Sequence, residues 1–330
     1  MQHLINFLTA GIIAAAPLLF GVLGEILTEK SGNLNLGVEG MMFMGAIGGL
    51  LGAYYYEQAV AQPVALVVVL IAMACAMLAA LLGALLYSVI TITLRANQIV
   101  TGLALSIFGI GFGNYFGEAM ANASPTGVLA VGSVTKSAFN GAIFPPALVN
   151  LPYVGKVIFS HNFMVYLALA LALGMWLFLK KTRTGLNLRA VGESPATADA
   201  AGINVTLYKY LATCIGGGIC GLGGLYLVMN ASSGVGGAWV HNCIDGYGWL
   251  AVALVIFSVW SPSRAILAAL VFGGLSVMRY YYPIGFIPTT IYDIIPYIAT
   301  VVVLVAVSMR RSRKNQPPDS LGLAYFREER

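Results

Sequence analysis

Residues 64–86 read VALVVVLIAMACAMLAALLGALL, and this stretch decides the class of fold. It is apolar on every face, whereas a transmembrane β-strand alternates apolar and polar residues. A helix needs about 20 apolar residues to cross a hydrocarbon core that is roughly 30 Å thick. The stretch therefore predicts a membrane-spanning helix.

The same pattern recurs along the chain. Of the 330 residues, 59% are hydrophobic and 9% are charged, against about 25% charged residues in a soluble domain. Asp, Glu, Lys and Arg are absent from residues 58–94, 96–117, 157–179 and 210–242. This composition excludes a water-soluble fold and predicts an all-α, polytopic transmembrane helical bundle.

We expect about 9 spans, within a range of 8–10 because the first half could hold one more or one fewer crossing. Their predicted ranges are 5–27, 38–57, 64–92, 97–117, 162–180, 206–229, 245–260, 264–282 and 290–309. Residues 1–310 then form one transmembrane domain, with an external loop at 118–161, an internal loop at 181–205 and a basic cytoplasmic tail at 311–330. The glycine-rich stretch GGGICGLGG at 216–224 predicts close packing between helices.

Orientation follows from Lys and Arg, which concentrate in cytoplasmic loops. Of the 17 Lys and Arg residues, all but Lys136, Lys156 and Arg279 lie on one side if the tail is cytoplasmic and the N-terminus is external. Membrane topology therefore accounts for the net charge of +5, and we predict no nucleic-acid partner.

Signatures of ATP binding and of hydrolysis are absent from the sequence. It has no GxxxxGK[ST], HExxH or GxSxG motif, and its four cysteines show no CxxC spacing. His3, His161 and His241 fall near predicted span ends or in loops, which favours interfacial roles. We predict no catalytic residue and no metal site, so the chain is interpreted as a transport subunit rather than an enzyme.

Two polar islands interrupt the apolar pattern, SGNLNLGVEG at 31–40 and RANQIVTG at 95–102. Polar groups at membrane depth are costly unless they are buried against protein or line a watery cavity. Either island could also be an ordinary short loop. Candidate residues of a translocation path are Asn35, Glu39, Asn97, Gln98, Thr101, Asn114 and Asp245.

The internal loop carries the most distinctive local signal. In PATADAA at 195–201, Pro195 suits the first position of a short helix and Ser194 suits its N-cap. A transport subunit without a phosphate cradle must receive its driving force through contacts, and residues 193–203 are the best candidate for transmitting it.

Four strings resemble the permease subunits of bacterial ABC importers for simple sugars and nucleosides, and more narrowly the second permease of nucleoside uptake systems. They are EKSGNLNLGVEGMMFMGA (29–46), TLRANQIVTGLAL (93–105), PYVGKVIFSHNFMVYLAL (152–169) and KKTRTGLNLRAVGESPATADAAGINV (180–205). The resemblance covers residues 24–310. It implies the permease fold of type II ABC importers, located in the bacterial plasma (inner) membrane.

The resemblance also implies partners and a coupling site. The partners are a cytoplasmic ABC ATPase, a second permease and an external substrate-binding lipoprotein, with ATP used by the ATPase and no cofactor bound by this chain. The coupling helix falls on Gly192, Glu193, Ser194, Pro195, Ala196, Ala198, Ala201, Gly202 and Ile203. Ser194 stands where Asn is common and Ala196-Thr197 where a basic residue is frequent, so no specific salt bridge to the ATPase is implied.

The function predicted from residues and resemblance together is ATP-driven import of nucleosides, with simple sugars as the second choice. A carrier driven by an ion gradient is one alternative, but nearly all the spans lack a mid-span carboxylate. A branched-chain amino-acid ABC permease is another, although no charged lining for a zwitterion is evident. An intramembrane enzyme would need a nucleophile–base or metal cluster, and none is visible. The second permease could also be another copy of this chain.

Overall fold

The computed structural model describes residues 2–152, 154–230, 236–244, 246–283, 289–309 and 316–327. Within these residues the fold is all-α, with one isolated bridge between Ala130 and Ala238. The helices are α1 (Gln2–Glu29), α2 (Val38–Ala59), α3 (Ala65–Ser88), α4 (Gln98–Ala123), α5 (Ser133–Asn140), α6 (Pro146–Val149), α7 (Val154–Phe159), α8 (Phe163–Lys181), α9 (Arg183–Glu193), α10 (Pro195–Ala200), α11 (Val205–Met229), α12 (Tyr247–Phe257), α13 (Pro262–Tyr281) and α14 (Thr289–Met309). A π-helical turn, Val89–Thr93, extends α3.

Helices lie over all nine predicted spans, namely α1, α2, α3, α4, α8, α11, α12, α13 and α14. Among the described helices, six are long and apolar enough to cross a membrane: α1, α3 with its π-helical turn, α4, α8, α11 and α13. The predicted all-α polytopic bundle is confirmed. The number of crossings stays a prediction.

Helix α11 forms the centre of the bundle and packs against α1, α2 and α3. Close approach at its glycines makes this possible, because a Cβ atom built on Gly45 of α2 would lie 2.3 Å from the Cα of Gly221. The prediction that 216–224 packs helices is therefore confirmed. Outside this core, α13 packs on α1 and α4 packs on α2.

The predicted span 245–260 differs from the structure. Helix α12 has 11 residues, so it is about 16 Å long, shorter than the hydrocarbon core of roughly 30 Å. Residues 236–244 before it are not helical. Gly236, Gly237, Asn242 and Gly246 all adopt positive φ there, which interrupts a helix even where the side chains are apolar.

The bundle has two ends, named here after the short helices that they carry. The α7 end holds α5, α6 and α7, and there Asn140 Nδ2 donates to the carbonyl of Met229 at the end of α11 (3.0 Å). The α10 end holds α9, α10 and residues 316–327, and there Gly322 N donates to Gly32 O (3.2 Å). These ends correspond to the predicted external and cytoplasmic sides.

The turn 30–37 between α1 and α2 lies inside the bundle rather than at its surface. Asn33 Nδ2 donates to Thr213 Oγ1 (2.9 Å), and Thr213 lies eight residues beyond Val205, where α11 begins. The turn is therefore about 12 Å inside that helix end. Helix α2 starts at this depth, so the first polar island is a buried break between two helices.

Candidate functional site

A buried glutamate holds the start of α12. Glu39 is 3% exposed, and its carboxylate accepts the backbone N–H groups of Gly246 (2.8 Å) and Gly248 (2.6 Å). A carboxylate at a helix N-terminus offsets the positive end of the helix dipole and satisfies N–H groups that lack helical partners. Gly248 is required, since a Cβ atom there would lie 2.4 Å from the Cα of Glu39.

The non-helical segment before α12 is tied to α4 by a pair of asparagines. Asn114 Nδ2 donates to Asn242 Oδ1 (2.8 Å), and Asn242 N donates to Asn114 Oδ1 (3.1 Å). Asn242 adopts φ 55°, so the bonds hold it in a left-handed conformation. Asn114 and Glu39 thus hold residues 236–244 and the start of α12 in place. These residues together with α12 are named here the broken element. Asp245 falls between Asn242 and Gly246 in sequence but lies outside the described residues.

A cavity of about 880 Å³ adjoins this element at the α7 end. Cys243 and Tyr247 line it from the broken element, and α1, α11 and α13 supply much of the remaining wall. Its aromatic residues are Tyr226, Tyr247, Tyr280 and Tyr281, and its polar residues are Asn6, Thr9, Lys156, Ser160, Asn230, Ser276 and Arg279. The volume lies within the range of small-molecule sites, about 300–1,000 Å³.

The remaining path candidates lie at the α10 end, apart from this cavity. Asn35 Oδ1 accepts from Gly37 N (2.9 Å), and Gln98 Oε1 accepts from Leu34 N (2.7 Å). Asn97 caps α4 by accepting from Val100 N (3.1 Å), and Thr101 Oγ1 donates to Asn97 O (2.8 Å). The structure therefore divides the candidates into two groups, and none of the described ones lines the large cavity.

Two buried glutamates in α1, Glu25 and Glu29, were not among the predicted site residues. Glu25 Oε1 accepts from Asn35 N (3.1 Å), and Glu29 Oε2 accepts from the indole N–H of Trp260. Both carboxyl groups satisfy donors at the breaks around the turn 30–37 and the end of α12. The sequence signal for this pair is its spacing of about one helical turn, next to the polar island at 31–40.

The histidines do not form a metal centre in the described part of the chain, where no group of three or more His, Cys, Asp or Glu side chains could hold an ion. His161 Nε2 lies 2.8 Å from Val157 O, and burial lowers the pKa of its imidazole. His241 Nδ1 lies 2.5 Å from Glu118 Oε1 at the surface. The interfacial roles of the histidines stay a prediction.

The short helix predicted at 195–201 is present as α10, Pro195–Ala200. Ser194 Oγ accepts from Thr197 N (3.4 Å), so Ser194 is the N-cap and Pro195 the first helical residue, as predicted. The residues assigned to coupling divide into two faces. Gly192 and Ala198 are buried against the bundle, Ser194, Pro195 and Ile203 are half-buried, and Glu193, Ala196, Ala201 and Gly202 are exposed.

Residues 316–327 pack against this loop from the other side. Ser320 N donates to Gly192 O (3.1 Å), and Tyr325 OH donates to Asp199 Oδ2 (2.9 Å). Arg327 Nε lies 3.2 Å from the same carboxylate oxygen. The end of the chain therefore fixes α10 to the bundle while its outer face stays open.

The fold and the site define a multi-pass membrane protein with a ligand-sized cavity at one end and a rigid exposed helix at the other. Residues 7–304 match the family described as "Branched-chain amino acid transport system / permease component". The chain belongs to this permease family, and its resemblance to ABC importer permeases is confirmed. It is a transport subunit rather than an enzyme.

Relatives agree with this assignment. The guanosine ABC transporter permease protein NupQ of Bacillus subtilis is 32% identical over 100% of this chain and 99% of its own length. The putative glucose ABC transporter permease protein TsgC13 of Haloferax volcanii is 34% identical over 84% of this chain and 78% of its own. The nucleoside ABC transporter permease protein NupC of Lactococcus lactis is 31% identical over 89% of each chain. No solved structure matches the chain.

Proposed function

We propose that the chain is the membrane-spanning permease subunit of an ATP-driven ABC importer that carries nucleosides, with simple sugars as the second class. Relatives named for guanosine, nucleosides and glucose support this range. The observation that carries it is the tyrosine-lined cavity. Tyrosine rings stack on a nucleobase, and the neutral groups of Asn230 and Ser276 suit sugar hydroxyls.

From this cavity the solute moves along the broken element, past Asn114, Asp245 and Glu39, towards Asn35, Asn97, Gln98 and Thr101 at the α10 end. Broken helices are tolerated at membrane depth where they line a cavity. In the bonds described above, the amides of Asn35, Asn97, Gln98 and Asn114 have protein partners. A path whose polar groups are already bonded holds a neutral solute weakly, which favours release.

The α10 end faces the cytoplasm in this proposal, and the exposed face from Glu193 to Ile203 docks onto a separate ATPase. The placement of Lys and Arg supports this orientation, with the C-terminus cytoplasmic and the chain in the bacterial plasma membrane. A second permease and an external substrate-binding lipoprotein complete the importer. Anchoring of α10 on two sides supports its role, because a rigid element transmits a push without bending.

The test is uptake of radiolabelled guanosine, ribose and leucine by cells that express the chain with or without its neighbouring-gene products. One set of cells is depleted of ATP and another of membrane potential. We expect uptake of guanosine that needs the partners and ATP. Preferential ribose uptake under the same requirements would move the substrate class to sugars and leave the ABC mechanism in place.

Two outcomes would contradict the proposal. Uptake by this chain alone that collapses with the ion gradient would indicate a secondary carrier, and the Glu25–Glu29 pair would then be its first candidate ion site. Preferential leucine uptake would indicate an amino-acid permease. The cavity argues against that class, since its described lining includes Lys156 and Arg279 but no carboxylate for an ammonium group.

A further inference from the structure

A second cavity, of about 400 Å³, lies at the α10 end between the start of α11 and the end of the chain. Its walls come from the turn 30–37, the π-helical turn, the loop after α10 and residues 324–327. Its charged lining residues are Arg95, Asp199, Lys209 and Arg327. Gln98 of the proposed path and Gly202 and Ile203 of the coupling segment also line this cavity, but neither role assigns it a ligand.

Lys209 is the most informative of these residues. It lines the cavity yet is only 3% exposed. Within the described part of the chain its ammonium group has no carboxylate partner and no hydrogen-bond acceptor. A buried cation is costly unless it is paired, and a lysine near a helix end can normally extend to solvent. Lys209 therefore lacks a counter-charge, and an anion that enters the cavity would supply one.

The only carboxylate in the described lining is already engaged. Asp199 binds the Tyr325 hydroxyl (2.9 Å) and the Arg327 guanidinium (3.2 Å). Arg95 is held in place, with its guanidinium carbon 4.7 Å from the centre of the Phe326 ring. Three basic residues thus face one acidic residue around the cavity.

The start of α11 adds positive potential of its own. Residues 202–206, which contain the N-cap Asn204 and the first helical residues, line the same cavity. The N-terminus of a long helix carries a partial positive charge and free N–H groups, which makes it a ready anion site. Lys209, only four residues beyond Val205, has the sign that this position disfavours unless an anion is bound.

We propose that this cavity binds the phosphate group of a small anion, held by Lys209, Arg95 and the first N–H groups of α11. Phosphate matches the arrangement because it offers several acceptor oxygens and enough charge for two cations. The cavity volume also admits an attached organic moiety. The phosphate belongs either to a free monoester or to a phospholipid headgroup, and both present the same group.

Bound phosphate also contacts residues 316–327, which hold α10. Ala324, Tyr325 and Arg327 form one wall of the cavity, and the same segment anchors α10 through Asp199. Occupancy therefore tightens the attachment of residues 316–327 next to the coupling helix. That the site faces the cytoplasm rests on the proposed orientation. Binding to the purified chain tests the site independently of transport.

The test uses the full chain purified in detergent and titrated calorimetrically with guanosine 5′-monophosphate and with inorganic phosphate, with guanosine as the uncharged control. We expect the phosphate-bearing probes to bind at the site and Lys209→Met to weaken that binding at least tenfold. Lys181→Met is the matched control, since it removes an exposed lysine at the end of α8. It should leave the affinity unchanged.

A second arm distinguishes the source of the phosphate. The chain is reconstituted in nanodiscs of phosphatidylcholine alone or with phosphatidylglycerol, and its thermal midpoint is measured for wild type and Lys209→Met. Stabilisation by phosphatidylglycerol that requires Lys209, without binding of either soluble probe, assigns the site to a lipid headgroup. If Lys209→Met fails to fold, Arg95→Gln replaces it, because Arg95 is exposed.

Two results would overturn the proposal. One is the absence of both soluble binding and lipid stabilisation in the wild type. The other is binding that Lys209→Met and Arg95→Gln leave unchanged, or that Lys181→Met weakens equally. Either result would make Lys209 a buried lysine without a ligand.

Discussion

The two cavities of this permease hold their basic residues differently. In the larger cavity, about 880 Å³, Lys156 is exposed and Arg279 lies near the end of α13 beside the Tyr280 ring. In the smaller one, about 400 Å³, Lys209 is buried at 3% exposure. An exposed cation such as Lys156 is screened by water, whereas a buried cation such as Lys209 needs a counter-charge. The difference separates a chamber suited to neutral solutes from a site suited to a fixed anion.

The broken element and the α10 anchor also differ in what fixes them. Glu39 satisfies two backbone N–H groups of the broken element from inside the bundle, whereas residues 316–327 hold α10 from outside it. Buried bonds of the first kind are costly to lose. The bonds from Tyr325 and Arg327 to Asp199 of α10 are partly exposed and contribute less each. We therefore expect substitution of Glu39 to lower the stability of the whole bundle, and substitution within residues 316–327 to have a smaller, local effect.

The largest expected effect comes from Glu39→Leu, which removes the acceptor of the buried Gly248 N–H group and of the half-buried Gly246 N–H group. We expect the free energy of unfolding to fall by about 2–5 kcal/mol, measured as a lower thermal midpoint and yield in detergent. Glu118→Gln, at an exposed glutamate, is the control and should change little. Equal stability of Glu39→Leu and the control would remove the basis for the comparison.

The second effect is loss of coupling. Ala196→Glu adds a bulky carboxylate to the exposed face of α10, where related permeases frequently carry a basic residue, so co-purification of the ATPase and uptake should fall at least about tenfold, or about 1.4 kcal/mol. Thr184→Glu, at an exposed position of α9, is the matched control and should retain both. Normal coupling in Ala196→Glu would show that the ATPase docks elsewhere.

The third variant sharpens the contrast between the two cavities. Asn230→Leu removes an amide that lines the larger cavity, so guanosine uptake should fall several-fold, by about 1 kcal/mol for a lost hydrogen bond. Binding of guanosine 5′-monophosphate to the purified chain should not change, the reverse of Lys209→Met. Asn150→Leu, in the exposed loop after α6, controls for a polar-to-apolar change. A shared loss in both assays would mean that the cavities are not independent.

The smallest effect concerns the end of the chain. Tyr325→Phe removes one hydroxyl bond to Asp199, worth about 0.5–1.5 kcal/mol. Residues 316–327 should then be cleaved a few-fold faster by limited proteolysis, while uptake remains near normal. Tyr208→Phe removes a comparable hydroxyl bond, to Asn187, and should leave cleavage of this segment unchanged. Unaltered cleavage in Tyr325→Phe would show that the contact does not restrain the segment.

Local patterns predicted much of this architecture. The apolar run at 64–86 forms most of α3, and the Ser194-Pro195 pair forms the capped start of α10, as predicted. Both signals depend on residues close in sequence, namely on hydropathy over one helix length and on one cap. The family resemblance rested on similar local strings and is confirmed.

The features that local patterns did not predict depend on residues that are distant in sequence. The break before α12 depends on Glu39, about two hundred positions away, so 245–260 was predicted as a single helix. Lys209 was predicted only as a cytoplasmic charge, because it shares its cavity with residues distant in sequence, in the turn 30–37, the π-helical turn and residues 324–327. The predicted path residues likewise divide between two ends, which their spacing along the chain does not reveal.

The sequence by itself determined that the chain is a helical membrane protein, that it is a permease and where the short helix α10 begins, because hydrophobic transfer and helix capping act over short stretches of chain. Only the tertiary structure decided that the helix within 245–260 has 11 residues, that two separate cavities form, and that Lys209 is buried without a partner among the described residues. Burial and hydrogen-bond satisfaction are properties of neighbours in space, and residues distant in sequence become neighbours only when the bundle has folded.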